Sequence, residues 1–189
     1  MKLFLQKNDK KIAIIFLIFT LGFLVLFLTN QEFVDWAYSR HQNILSWYIR
    51  PLFIIPICWF AYKKNWSGIS ITIFALFTSM FWFNTPVEVS PAVEEFLAFE
   101  KEYTFGDWNF QKIFLSLSIP LFMYLLIIAF WKRKLKYGVA VIIGAAVLKV
   151  IWSLVFAGES GASIIKPAVT GLVICLGVVY IFVRKKKKS

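Results

Sequence analysis

Six apolar stretches, separated by polar connections whose charge alternates in sign, leave this chain few ways to fold. They run from Ile12 to Thr29, Ile44 to Tyr62, Ile69 to Asn84, Ile113 to Trp131, Val139 to Phe156 and Ile164 to Val183. A helix needs roughly 17 to 25 residues to cross a bilayer, and the third stretch is the shortest of the six. With 60% hydrophobic and 19% aromatic residues, the 189 residues hold too little polar surface to cover one soluble core. The apolar runs also lack the period-two alternation of outer-membrane strands, whereas a helix satisfies its own backbone hydrogen bonds in hydrocarbon. The expected fold class is therefore all-α: a polytopic membrane protein with about six transmembrane helices over residues 12–183, between basic cytoplasmic tails at 1–11 and 184–189.

Orientation follows from the cations. Lys2, Lys7, Lys10 and Lys11 precede the first stretch. Lys63 and Lys64 follow the second, and Lys132, Arg133, Lys134 and Lys136 follow the fourth. Arg184 and Lys185 to Lys188 close the chain, so fifteen of the 21 basic residues fall at alternate connections and the ends. Nine of the ten acids lie elsewhere, Asp9 being the exception. The positive-inside rule places both termini and the second and fourth connections in the cytoplasm. The net charge of +11 is then mainly a topology signal, and nucleic-acid binding is not expected because the cations are divided among helix ends. Membrane lipids are the expected partners of these clusters. The default location is a bacterial cytoplasmic (plasma) membrane.

The first stretch is longer than a signal-peptide core and is not followed by a small-residue cleavage site, so it is read as the first spanning helix. Cys58 and Cys175 fall inside apolar stretches, which favours packing over a disulfide. His41 stands alone among histidines, so no metal site is expected, and its neighbours Trp36, Tyr38, Trp47 and Tyr48 suggest an outer interfacial belt.

The connection from about residue 86 to 112 is long and acidic. Ser90-Pro91 provides a helix start, with the serine as N-cap and the proline at the first helical position. A short external helix is expected from Pro91 to about Tyr103, with Ala92, Val93, Phe96, Phe99 and Tyr103 on an apolar face. Glu100 falls inside that face and should point toward the bundle or its mouth.

Three cations inside the apolar stretches are candidates to answer Glu100: Arg50 and Lys166 near the expected outer face, and Lys149 about 11 residues along the fifth stretch. A charge in the bilayer interior costs about 2.5–3.5 kcal/mol even on lenient insertion scales, so it normally pairs or lines a wet cavity. Small residues Gly144, Ala145, Ala146 and Ser153 around Lys149 suggest a close neighbour there. Trp152 could supply a wall. Arg50-Pro51, Pro56, Pro120 and Lys166-Pro167 are expected sites of irregular helix.

Catalytic signatures are missing. The pair Glu94-Glu95 has no histidines on other helices to accompany it, and the chain lacks a phosphate-binding G-x-x-x-x-G-K-[S/T] loop, H-E-x-x-H and G-x-S-x-G. An enzyme using Glu94, Glu95 or Glu100 is the third reading, and no cofactor is expected. The leading expectation is binding or translocation of a small anionic solute or lipid headgroup at Arg50, Lys149, Lys166, Glu100 and Trp152. The alternative is a non-enzymatic accessory or assembly protein that recognises a membrane-protein partner, or another copy of itself, through the acidic-aromatic loop.

Overall fold

A computed structural model of the chain describes residues 7–188. Lys2 and Ser189 lie outside the described residues, as do the side chains of Val183 and Lys185 to Lys188. Every regular element among the described residues is helical. Five helices are long and apolar enough to cross a membrane: Asp9–Thr29, Leu45–Tyr62, Phe110–Trp131, Leu135–Ala157 and Ser160–Phe182. Each turns large apolar side chains outward, including Ile18, Leu45, Phe114, Val155 and Val173, a pattern compatible with an integral membrane location.

The chain forms two compact units, Met1–Glu88 and Val89–Ser189. The first contains α1 (Asp9–Thr29), α2 (Gln31–His41), α3 (Leu45–Leu52), α4 (Ile54–Tyr62) and α5 (Trp66–Thr78), with a 3-10 turn over Ser79–Phe81 prolonging α5. The connection after the first stretch is thus largely helical. Asn30 starts α2 by accepting a hydrogen bond from the Phe33 N–H at 2.8 Å. The second stretch breaks at Phe53, where Pro56 has no N–H to offer the carbonyl of Leu52.

The third stretch, the shortest of the six in the sequence, is equally short in the structure and starts three residues earlier. Trp66–Phe81 falls short of a spanning helix by length; 13 residues at ~1.5 Å and three at ~2.0 Å cover about 25 Å, against a hydrocarbon core of about 30 Å. Its two ends are held by residues from elsewhere in the unit. At the start, the Asp9 carboxylate accepts from the N–H groups of Trp66 at 3.0 Å and Ser67 at 2.8 Å, while the Asn65 side chain accepts from Gly68. The first three orphan donors of α5 are therefore satisfied. At the far end, Arg40 donates from Nε to the Phe81 carbonyl at 2.7 Å and from Nη2 to Asn84 Oδ1 at 3.1 Å. Asp9 also sits at the start of α1, and Phe16 packs on Phe74 while Phe23 packs on Phe77 and Phe81. Residue numbers rise together along both helices, so α1 and α5 run parallel.

The second unit contains α6 (Pro91–Phe105), α7 (Phe110–Trp131), α8 (Leu135–Ala157), a 3-10 turn over Ser160–Ile164 and α9 (Ile165–Lys188). Pro120 lies within an unbroken α7, and Pro167 lies in the first turn of α9, where a missing N–H costs little.

The turns α4–α5 and α7–α8 share one backbone design. The N–H groups of Lys64 and Asn65 donate to the carbonyls of Ala61 and Phe60, at 3.0 and 2.9 Å; those of Arg133 and Lys134 donate to Phe130 and Ala129, at 2.9 and 2.8 Å. Both are Schellman closures, with a left-handed residue at the position glycine usually takes: Lys64 at φ 55° and Arg133 at φ 57°. A cation beside the last carbonyls is favoured by the negative end of the helix dipole. After each turn a glycine meets an aromatic ring of the preceding helix, Gly68 against Phe60 and Gly138 against Phe130.

A side chain at residue 138 must displace the buried Phe130 ring, whereas residue 22 faces open space. Gly138→Val is expected to destabilise the detergent-solubilised protein by about 1–3 kcal/mol, the usual cost of overpacking, and Gly22→Ala to be neutral or stabilising. Thermal unfolding of the two variants beside the parent tests the contrast.

Candidate functional site

The acidic helix α6 begins as its residues require. Ser90 has extended backbone, its Oγ accepts from the Val93 N–H at 3.4 Å, and Pro91 occupies the first turn. The buried face comprises Val93, Phe96 and Leu97, while Ala92, expected on that face, is exposed. Glu100 continues the buried stripe at helical spacing and is half-buried.

Opposite Glu100 stands Lys149 of α8, its Nζ 3.3 Å from Glu100 Oε1. Since α8 begins at Leu135, Lys149 lies eight residues before its last residue, Ala157, about 12 Å along the axis from that end. It is closer to the middle of α8 than to its C-terminus, and α6 packs near that end together with the 3-10 turn Ser160–Ile164.

The ammonium lies between aromatic faces, 4.5 Å from the centroid of Trp152 and 5.7 Å from that of Phe96. The wall continues through Phe99, 5.7 Å from Trp152, and Tyr103, which meets Trp152 edge-on at 5.1 Å. Lys112 Nζ lies over the Tyr103 ring, 5.1 Å from its centroid. The Lys149 side chain remains 42% exposed and that of Glu100 25% exposed. An ammonium carries three donors, and this one gives a single hydrogen bond to a protein acceptor among the described residues. A cation with open donors, a carboxylate beside it and aromatic walls can exchange partners with a polar ligand.

Close approach to α8 occurs one turn beyond Lys149. Gly161 lies so near the Ser153 carbonyl that a Cβ would overlap it, and Ser153 is fully buried. The space beside Gly144, where a near neighbour was expected, is open. Two buried polar atoms of this unit, Tyr103 Oη and Ser153 Oγ, have no hydrogen-bond partner among the described residues.

The remaining cations are placed differently. Lys166 is the second residue of α9 and is exposed. Arg50 belongs to the first unit, where its Nη1 is 3.1 Å from His41 Nε2. His41 is buried, at 4% exposure, rather than part of an interfacial belt. Its Nδ1 is 2.8 Å from Ser46 Oγ, which donates to the Asn43 carbonyl at 2.7 Å, and the Trp47 indole donates to the His41 carbonyl at 2.9 Å. Arg50 can only donate, so Nε2 accepts and the proton sits on Nδ1, directed at Ser46. Ser46 is fully buried, which makes this a structural relay rather than an exposed nucleophile. Sequence reading placed Arg50 but missed its histidine partner, nine residues earlier and across the α2–α3 turn.

Among the described residues no three His, Cys, Asp or Glu side chains gather so as to hold a metal ion. No family model, curated protein or solved structure matches the chain.

Removing an unpartnered buried hydroxyl and removing a fully used imidazole should have opposite consequences. Tyr103→Phe is expected to leave stability unchanged or slightly raised, whereas His41→Ala is expected to cost about 1–3 kcal/mol by stranding buried polar partners. Denaturation in the same detergent measures both.

Proposed function

We propose that the chain is a six-span protein of a cytoplasmic membrane, with both termini inside and α6 outside. In this reading it binds or translocates a small solute or lipid headgroup through an anionic group received by Lys149. Charge parity supports the sixth crossing. If Trp66–Phe81 stayed on one side, Lys132 to Lys136 and the C-terminal cations would face outward, against the positive-inside rule. The parallel course of α1 and α5, anchored at Asp9, also supports it. A bacterial plasma membrane remains the default setting.

The ligand reading is carried by the partly exposed Lys149 ammonium, which has one hydrogen bond to Glu100 and two donors open. Trp152 contributes one wall. Lys166 is an exposed cation near the start of α9 in the same unit, while the Arg50 guanidinium is engaged by His41.

One observation favours the accessory reading: Trp108 and Phe110, following α6, are exposed apolar side chains in the acidic connection. They would give a partner apolar anchors amid acidic residues.

Two experiments test these readings. Replacing Cys58 and Cys175 and introducing Arg133→Cys or Asp107→Cys is expected to give label from a membrane-impermeant thiol reagent on intact cells only at residue 107. Label at 133 instead would reverse the topology. In a ligand screen with purified protein, Lys149→Met is expected to abolish anion binding; undiminished binding would refute the site. Loss of a crosslinked partner from Trp108→Ser with Lys149→Met unaffected would favour the accessory role.

A further inference from the structure

We infer that the Lys149–Glu100 site selects a zwitterion carrying a primary ammonium and an anionic group a few bonds apart. The inference rests on the ligand-binding reading of Lys149 and names its substrate class. Its starting point is the pairing of opposite charges: a cation and a carboxylate face each other at 3.3 Å, so a ligand carrying one charge of each sign can meet both.

A lone anion that draws Lys149 away removes its attraction from a carboxylate whose side chain is three-quarters buried. A lone cation at Glu100 places like charge beside Lys149. A zwitterion does neither, because its anionic group takes Lys149 while its ammonium takes Glu100. Each protein charge keeps an opposite charge, and one ion pair becomes two.

The walls fit the ammonium half of this exchange. Trp152 and Phe96 already receive a primary ammonium, that of Lys149, on their faces at 4.5 and 5.7 Å. When Lys149 turns toward the anionic group, a ligand ammonium of equal size and charge can take its place between the rings and next to Glu100. The Lys149 side chain is 42% exposed, so a ligand can reach the ammonium from outside the pair. Phosphoethanolamine headgroups and small amino acids share the required chemistry, the first arriving from the bilayer and the second from water.

The test uses full-length protein in detergent and titrates matched probes by native mass spectrometry. Dihexanoyl phosphatidylethanolamine, glycerophosphoethanolamine and glycine are the zwitterions; dihexanoyl phosphatidylglycerol, glycerol phosphate and acetate are the anions. At least one zwitterion is expected to bind the parent about tenfold more tightly than its matched anion, the scale of one charged hydrogen bond. Binding confined to the acylated form identifies a lipid headgroup, and equal binding of a water-soluble form identifies a free solute; either pattern supports the class. Glu100→Gln should erase the preference by weakening the zwitterion about tenfold, and Lys149→Met should abolish both, while Lys149→Arg, which keeps the charge, retains the preference and controls for folding. Anions binding the parent as tightly as zwitterions, with loss in Lys149→Met, would overturn the zwitterion and leave the site standing. If Lys149→Met binds every probe like the parent, or the parent binds none, the site itself is refuted.

Discussion

Unmet backbone groups at helix ends are the constraint on which both units of this protein depend. An apolar helix satisfies its own middle, but four N–H groups and four carbonyls at its ends need outside partners, and apolar surroundings offer few. The third stretch answers with residues from other helices: Asp9 at its first turn and Arg40 at its last carbonyl. The same contacts that satisfy α5 also align it with α1. One acid among basic residues, anomalous as a topology signal, is accounted for as a helix cap.

The two Schellman turns apply the same constraint at the basic connections. Lys64 and Arg133 accept a left-handed backbone that favours glycine, and place positive charge beside carbonyls carrying the negative end of the helix dipole. Cations at the basic connections therefore also close the helices. Gly68 and Gly138 then allow the next helix to start against an aromatic ring, which sets the tightness of each hairpin.

Lys149 poses the equivalent problem for a side chain. An ammonium in the apolar body of α8 is met by a carboxylate from α6 and by the faces of Trp152 and Phe96. This pair joins α6 to α8 by a contact that is polar, partly exposed and single-bonded, while Val93, Phe96 and Leu97 supply the apolar part of the seat. A contact of that kind can open for a ligand without unpacking the helix beneath it, which links the local geometry to the binding role proposed here.

The helical class, the apolar stretches, the start of α6 at Ser90-Pro91 and the inward set of Glu100 were legible in the chain, because hydropathy, capping chemistry and helical period are local properties. The helix in the first connection was not: Gln31 to His41 mixes polar and aromatic residues without a spanning hydropathy, and its role becomes visible only when Arg40 reaches Phe81. His41 looked like a belt residue because sequence shows it among aromatics, not its burial against Ser46 and Arg50. Sequence by itself determined which segments avoid water and where the cations gather, since those follow from composition along the chain. Only the tertiary structure decided which charge meets which, setting Glu100 on Lys149 and His41 on Arg50. Ion pairs and hydrogen bonds form between residues whose separation in space, a few ångströms, is unrelated to the 49 positions that separate Glu100 from Lys149 in the chain.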